Sequence, residues 1–528
     1  MDFSNTVLSC IGWHSTSLRS KSRVKKLGKG SYGSVYATIL FTPENLTPST
    51  IAEKVYRGHS DDDGVGIYYL TLREVAVLAS ASHEAFPNPL YLKMDAPFTL
   101  FMELGPPCLS RTRMARLTPY PLQASTLIVK LIDAIYYAHH SLNCMNRDIK
   151  LENILWDNAT QKLFLIDWGL CRTFNASHGN LTPEVQTLWY RAPELLLGAK
   201  SYSCKVDVWS LGLIIFRLWT GRGFEGRCEL EQLHLYIKAF GTPPKDVFKE
   251  YPIFSDALPA LKEDPKVWFG LSTLQVDFLK KLLAYNPEVR PSMEEVRRLA
   301  LRYLPHLSHG EVERLQRVYP SYYDRRPYKG IAVGSVSGWP KAVRAIIFHG
   351  HDLNERLGSH GYAASLLHRF LSVSRRSLTD SRLIFYAKAC LWIVTKLFGY
   401  SSFPSDFGIR ASASRRAFAK AEEEICVALK FDLWDGSPHL HYRKIGSDHD
   451  TLGSNLLDLV LFQDVAFTEP KAIGSLVARL ISNDPSTYLE SEKTFIDSCL
   501  DSLDVLEREK PEEWIVSLRK SIQEKLTN

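Results

Sequence analysis

The run from Asn146 to Asn153 (NRDIKLEN), followed by Leu163-Phe164-Leu165-Ile166-Asp167-Trp168-Gly169, puts two carboxylates, an amide and an ammonium within 20 residues (167 − 148 + 1). Apolar residues flank both clusters, so short strands could hold them rigidly. Phosphoryl transfer asks for that set. Asp148 can accept a hydroxyl proton, Lys150 can neutralise charge on a moving phosphoryl group, and Asn153 and Asp167 offer hard oxygens to Mg²⁺. Asx turns explain Asp148 or Asn153 singly, but not their spacing together with a downstream Asp-Trp-Gly.

The elements that must position this chemistry lie upstream. Ser22 to Leu40 (SRVKKLGKGSYGSVYATIL) reads as strand, glycine turn, strand, with Gly28, Gly30, Gly33 and Val35 in a G-x-G-x-x-G-x-V pattern. Such glycines let backbone close over phosphates without a Cβ in the way, although the same pattern also serves a plain hairpin. The strand that follows argues against the dinucleotide-binding form, which needs a helix there. Lys54 lies in an apolar strand, Ile51 to Val55, and Glu74 lies on an amphipathic helix (LTLREVAVL), pointing away from its apolar residues. As ammonium and carboxylate the two can grip and steady a nucleotide phosphate. Phe98 to Leu104 is a strand ending in Gly105-Pro106-Pro107, a plausible hinge between two lobes.

A chain of 528 residues is long for one core. Its 45% hydrophobic and 23% charged residues are those of a globular protein. The net charge of +6 (64 − 58) is too dilute to argue for nucleic acid or membrane as a partner. Nine cysteines without a C-x-x-C pair read as reduced thiols, the opening residues MDFSNTVLSCIGWHS lack the basic-then-apolar pattern of a leader peptide, and the strongest apolar run, Val208 to Trp219, is shorter than a membrane span. An intracellular protein, cytoplasmic and/or nuclear, is expected.

These words together resemble the eukaryotic protein kinases over about residues 20 to 305, and VQTLWYRAPELLLG (Val185 to Gly198) resembles the cyclin-dependent branch. The resemblance implies a bilobal α+β kinase fold, ATP and Mg²⁺ as cofactors, and protein substrates with Ser-Pro or Thr-Pro sites. It implies that Gly28, Gly30, Gly33 and Val35 form the phosphate loop, that Ala52 lines the adenine pocket, that Met102 gates its back, and that Glu103 and Leu104 are the hinge. Lys54 and Glu74 become an ion pair, Asp148 the catalytic base, and Asn153 and Asp167 the metal ligands. Glu194 and Arg290 become a buried pair, and Asp207 the brace of the catalytic loop. Arg191 is retained where the family reads a proline after the target residue, while Gln186 replaces a commonly apolar neighbour. Asn146 and Trp168 stand where the family has His and Phe. Both positions are structural, so an active enzyme is expected; the alternative is a catalytically weak scaffold that binds cyclin or kinase partners.

Thr182, in LTPEV, matches the family's activating phosphosite, and a phosphate there needs arginines to order its loop. Arg73, Arg147 and Arg172 stand at the matching clasp positions. Ser31 and Tyr32, at the tip of the glycine turn, match inhibitory phosphosites, where added charge would repel ATP; a loop-capping role for Tyr32 is the alternative.

From His306 to about Pro340 the chain is turn-rich and reads as a linker. Helical periodicity then resumes, with Tyr362, Leu366, Phe370 and Leu371 on one face. The words VRAIIF (Val343 to Phe348), HRFLS (His368 to Ser372), AKACLWIVTK (Ala387 to Lys396) and EEEICVALKFDL (Glu422 to Leu433), in that order, resemble the first five-helix box of a cyclin over residues 341 to 436. The resemblance implies an all-α cyclin-like domain that activates the kinase in cis, with Lys396 and Glu422 reaching backbone groups around the kinase's regulatory helix. Val343, Ile346 and Ile347 are similar to part of a substrate-docking patch whose usual tryptophan is Gly350 here. Residues 437 to 528 read as a possible degenerate second cyclin-like region.

Overall fold

The structure is a computed structural model that describes residues 6–10, 14–17, 20–30, 32–42, 45–57, 66–94, 97–109, 121–173, 186–199, 201–244, 260–304, 306–321, 336, 338–352, 359–374, 378–398 and 404–433, and single positions at 457, 461, 473, 476, 477, 499, 519 and 520. The proposed phosphosites Ser31 and Thr182 lie outside the described residues, as does most of 437–528. The chain divides into two compact units. Met1–Gly58, Arg73–Phe174 and His178–Pro320 form the first; His59–Leu72, Asn175–Ser177 and Ser321–Asn528 form the second.

In the first unit, β-branched and aromatic segments build an antiparallel sheet of seven strands: β1 (Thr6–Ser9), β2 (His14–Ser17), β3 (Ser20–Lys29), β4 (Gly33–Thr42), β5 (Asn45–Tyr56), β6 (Pro89–Lys93) and β7 (Thr99–Met102). Their order is β2-β1-β6-β7-β5-β4-β3. The register sets Val35 opposite Lys54 and Ala52 opposite Met102, so residues far apart in sequence share one corner of the sheet. The β1–β2 hairpin, which the sequence pattern did not announce, pairs Leu8 with Leu92 and Ser9 with Tyr91. It covers an edge of β6 that would otherwise expose a row of unpaired backbone groups.

Helix α1 (Tyr69–Ser80) is divided between the units after Leu72. It is buried continuously from Leu70 to Leu78, Glu74 included, rather than presenting the polar face expected of it.

The rest of the first unit is mainly helical: α2 (Pro121–Ser141), α3 (Pro193–Leu196), α4 (Lys205–Thr220), α5 (Glu229–Phe240), α6 (Thr273–Leu282), α7 (Met293–Tyr303) and α8 (His309–Gln316), with short strands β8 (Cys144–Met145), β9 (Ile154–Asp157), β10 (Lys162–Leu165) and β11 (Arg172–Thr173). Apolar on nearly every side, α4 is the central helix, and it stops at Gly221, whose φ of +68° lets its N–H cap Arg217 O. Reciprocal capping boxes start α6 (Ser272 with Gln275), α7 (Ser292 with Glu295) and α8 (Ser308 with Glu311).

Helix α8 falls within the segment assigned above to a linker. Residues 309–320 are instead built into the first unit. Thr126 Oγ1 donates to Glu311 at 2.7 Å, Ser141 Oγ to Pro320 O at 2.8 Å, and Arg297 Nη2 to Arg317 O at 2.6 Å. These anchors are polar and distant in sequence, which is why turn-rich composition concealed them.

In the second unit the described residues are mainly helical: α9 (Trp339–Asp352), α10 (Ser359–Ser374), α11 (Asp380–Phe398) and α12 (Ser412–Ala428). Largely buried, α11 contacts the other three. Among the described residues no helix is long and apolar enough to cross a membrane. All nine cysteines are free.

Candidate active site

Strands β3 and β4 close through a tight turn in which Gly30 N donates to Gly33 O at 2.9 Å. A Cβ at Gly33 would lie 2.5 Å from Val55 O, so close packing on β5 requires glycine there. At Gly28 and Gly30 a Cβ would meet nothing within 4 Å, which leaves the turn open above those positions. Val35 lies opposite Lys54 in the sheet, and Tyr32 is half-buried. Ala52 and Met102 are buried, and Glu103 and Leu104 follow β7 partly exposed.

Lys54 Nζ donates to both Glu74 oxygens, at 2.7 and 2.6 Å, and to Asp167 Oδ1 at 3.2 Å. Tyr56 Oη, not anticipated from sequence, donates to Glu74 Oε2 at 2.7 Å. Burial disfavours the lysine's charge, but the Asp167 and Glu74 carboxylates outweigh it and hold its pKa above the ordinary value. The ammonium is therefore retained between the Glu74 and Asp167 carboxylates.

Asp148 is buried in the middle of the loop that follows β8. Its Oδ2 accepts from Lys150 Nζ at 2.6 Å and from Asn153 Nδ2 at 3.1 Å, and its Oδ1 accepts from Thr187 Oγ1 at 2.8 Å. Lys150 also reaches Thr187 Oγ1 at 2.9 Å. Thr187 is a second residue that sequence reasoning missed; its only signal was a hydroxyl beside the conspicuous Gln186. Burial raises the Asp148 carboxyl above its usual range despite Lys150. For Asp167 burial acts the same way, but the charge and hydrogen bond of Lys54 prevail and lower it. Two nearby carboxylates are thus pushed apart, one toward accepting a proton and one toward staying anionic.

A divalent cation fits the second role. The Asp167 side chain is 34% exposed although its partner Lys54 is buried, and Asn153 spends its amide nitrogen on Asp148, at 2.9 Å to the backbone O, leaving its carboxamide oxygen without a protein donor among the described residues. No three His, Cys, Asp or Glu side chains cluster as a metal site among those residues. One carboxylate and one amide suit Mg²⁺, which keeps waters and takes further oxygens from substrate phosphates.

The two departures have structural explanations. Asn146 Oδ1 accepts from Asp148 N at 2.9 Å, so the asparagine aligns the loop itself. The indole of Trp168 is buried, donates from Nε1 to Leu165 O at 3.0 Å, and stacks on Phe86 with centroids 4.9 Å apart. Asp207, in the first turn of α4, accepts from Asn146 N at 2.8 Å and Arg147 N at 2.9 Å, and its Oδ2 is 2.9 Å from His139 Nε2. That bracing stabilises a loop whose Arg147 has a φ of +67°. Glu194 and Arg290 form a fully buried bidentate pair at 2.8 and 3.0 Å.

Gln186, at φ +66°, turns its carboxamide inward. Nε2 donates to Val206 O and Ser210 Oγ, and Oε1 accepts from Ala192 N. Its backbone carbonyl accepts from Arg191 Nη2 at 3.1 Å. Arg73, Arg147 and Arg172 are all buried; Arg147 donates to Leu170 O and to Tyr202 Oη, each at 2.8 Å, and Arg172 pairs with Met145 across β8 and β11.

Within the second unit, Lys396 Nζ (α11) and Glu422 (α12) pair at 2.6 Å. Together they hold both backbone groups of Ile67: Lys396 donates to its carbonyl at 2.8 Å, and its N–H donates to Glu422 Oε2 at 2.9 Å. Trp392 places its ring 3.4 Å from the Lys396 ammonium, a cation–π contact. Gly66 (φ +82°) fits beneath, where a Cβ would lie 2.5 Å from Glu422 Oε2 and 2.6 Å from Trp392. Neither Gly66 nor Trp392 was singled out from sequence.

A family model for the protein kinase domain matches residues 22–300. The chain is 33% identical over 300 residues to cyclin-dependent kinase B2-1 of Arabidopsis thaliana, covering 51% of this chain and 89% of that relative. It is also 33% identical over 287 residues to CTD kinase subunit alpha of Schizosaccharomyces pombe, covering 52% of this chain and 46% of that relative.

Proposed function

The chain belongs to the protein kinase family and is a serine/threonine protein kinase, and from that premise we propose a proline-directed, cyclin-dependent kinase-like enzyme activated by its own cyclin-like region. The observation that carries the proposal is the hold of Lys396 and Glu422 on Ile67. Helix α1 begins two residues later (69 − 67) and presents Glu74 to Lys54. A clamp on the start of that helix favours the arrangement in which the ion pair is made. Because the clamp is on the same chain, its effective concentration is of order mM for a suitable linker, and a modest interface suffices. The activator is assigned to residues 341–436, with 437–528 as a degenerate second region.

In the reaction, the bond from the γ-phosphorus of ATP to the β–γ bridging oxygen breaks as a bond to the substrate hydroxyl oxygen forms, ADP leaves, and the hydroxyl proton passes to Asp148. Gly28, Gly30, Gly33 and Val35 cover the phosphates, Ala52 and Met102 bound the adenine pocket, and Glu103 and Leu104 supply its hinge. Lys54 steadies the nucleotide and Lys150 the moving phosphoryl group. Asn153 and Asp167 would hold Mg²⁺, which would supply neutralising charge to the phosphates. The Gln186 carbonyl already accepts from Arg191, which weakens it as an acceptor for the N–H of the residue after the target. Proline has no N–H and loses nothing there, which supports Ser-Pro and Thr-Pro sites in protein substrates. Phosphate on Thr182 would engage Arg73, Arg147 and Arg172, and phosphate on Ser31 or Tyr32 would repel ATP.

The test is incorporation of radiolabelled phosphate from ATP into a Thr-Pro peptide by the full-length chain with no cyclin added. The wild type should label the peptide, and Asp148→Asn should lower the rate by about 10²–10⁴-fold. No labelling by the wild type, or equal labelling by the variant, rejects the proposal.

A further inference from the structure

We propose that the segment from α8 to Pro320 is a strap that positions Asp167, with Tyr319 as its positioning residue. This rests on Asp167 serving the nucleotide and its metal, as argued above. Pro320 is the last residue of the first unit, so Tyr319 stands where the chain leaves it.

Tyr319 Oη donates to Asp133 Oδ2 at 2.9 Å. Asp133 lies on α2 and is wholly buried; the same oxygen is 3.2 Å from His83 Nε2 and 3.4 Å from Arg314 Nη1, while Oδ1 has no partner among the described residues. Arg314 also pairs with Glu84 at 2.7 Å. The strap therefore grips residues 83–84, in the connection between α1 and β6. A buried carboxylate with one bare oxygen is poor economy for stability, and an apolar side chain of similar volume would pack there at less cost. What the carboxylate supplies is a directional anchor.

From that anchor an unbroken series of contacts reaches the Asp-Trp-Gly turn. The Tyr319 ring meets His83 and Tyr137 at 5.5 and 5.2 Å between centroids. His83 Nδ1 accepts from Ala85 N at 3.1 Å, which leaves Nε2 as the nitrogen that donates to Asp133. Ala85 O accepts from Leu165 N at 2.8 Å, and Leu165 O accepts from Trp168 Nε1 at 3.0 Å. Phe86 stacks on Trp168 at 4.9 Å and meets Tyr137 edge-on at 5.6 Å. Leu165 and Trp168 bracket Asp167, whose φ of +63° is one that a non-glycine residue keeps only when its surroundings impose it. Loosening the strap should therefore relax Asp167 without touching the peptide side of the site.

The experiment compares full-length wild type, Tyr319→Phe, which keeps the ring and drops the hydroxyl, and Tyr319→Leu, which drops both. KM for ATP, the Mg²⁺ concentration giving half-maximal rate, and KM for a Thr-Pro peptide are measured for each. Coupling through such networks is worth roughly 2- to 30-fold. We expect KM for ATP and the Mg²⁺ requirement to rise within that range, more for Leu than for Phe, with KM for peptide unchanged. A purely structural role would lower the rate per enzyme and leave every KM in place, and that result overturns the proposal. Tyr319→Leu combined with Trp168→Phe should be less than additive, because both act through one stack; additive effects also count against it. Asp167→Asn separates the two levels of argument. If it keeps full activity, the assignment of Asp167 fails; if it is inactive while the Tyr319 variants match wild type, only the strap fails.

Discussion

Gly66→Ala tests the clamp most directly. At φ +82° an alanine is disfavoured by about 1–2 kcal/mol relative to its ordinary conformations. Its Cβ would also fall 2.5 Å from Glu422 Oε2 and 2.6 Å from Trp392, so the carboxylate must swing away from Ile67 N and Lys396. Disturbing a buried, hydrogen-bonded pair in this way costs up to about 3–5 kcal/mol when one partner is lost outright, and part of that when it is displaced. A total near 3 kcal/mol corresponds to a hold on Ile67 weakened roughly 150-fold. Hydrogen exchange reads this out, because the Ile67 amide is protected by Glu422 and exchanges through the opened clamp. That amide should exchange about two orders of magnitude faster in the variant, and cyclin-free phosphorylation of a Thr-Pro peptide should fall with it. Gly270→Ala is the control: its φ is +89°, yet a Cβ there meets nothing within 4 Å, so it carries the conformational cost without the collision. If Gly66→Ala and Gly270→Ala behave alike in exchange at Ile67 and in activity, the clamp does not govern α1.

Two further outcomes follow from buried polar groups. Glu53 is fully buried on β5; desolvation pushes its carboxyl up, but hydrogen bonds from Arg23, Lys21 and Thr38 prevail and hold it at about 2 against an ordinary 4.5. Since the folded value is the lower one, its stabilisation is complete above the unfolded value and is lost as pH falls from about 4.5 toward 2, which amounts to about 2 kcal/mol once the solvent around half-exposed Lys21 and Arg23 is allowed for. Urea midpoints should show Glu53→Gln less stable than wild type at pH 7, with the gap closing below pH 4 as an expected trend; a gap independent of pH would contradict this account. Arg191→Ala frees the Gln186 carbonyl to accept an N–H, so the kcat/KM ratio of a Ser-Pro over a Ser-Ala peptide should drop by about tenfold, and an unchanged ratio would show that proline is selected elsewhere.

The chemistry-bearing words were legible because they are local. Asp148, Lys150 and Asn153 fall within one short loop, Asp167 ends the next hairpin, and the glycine turn joins adjacent strands, so spacing alone brings these residues near one another. Lys396 and Glu422 were marked only through the family resemblance, whose four helical words are recognisable by their order rather than singly. What spacing does not contain is the identity of a distant partner. Tyr56 and Thr187 look like ordinary strand and loop residues until folding sets their hydroxyls against Glu74 and Asp148. The sequence marked Asn146 and Trp168 as departures; only the structure supplied the partners, Asp148 N and Phe86, that give each its task.

Sequence alone therefore determined the class of chemistry, the order of its parts and the change to a helical region near residue 340. Tertiary structure decided which polar groups are buried, and with whom. Glu53 and Asp133 carry no local mark of burial, residues 309–320 have the composition of a linker yet are anchored to α2 and α7, and Gly66 is required by side chains more than 320 positions away (392 − 66 = 326). Backbone periodicity reports what a segment does with its immediate neighbours. The free energy of a buried carboxylate, or of a glycine beneath a tryptophan, depends on groups that only the folded chain brings within a few ångströms.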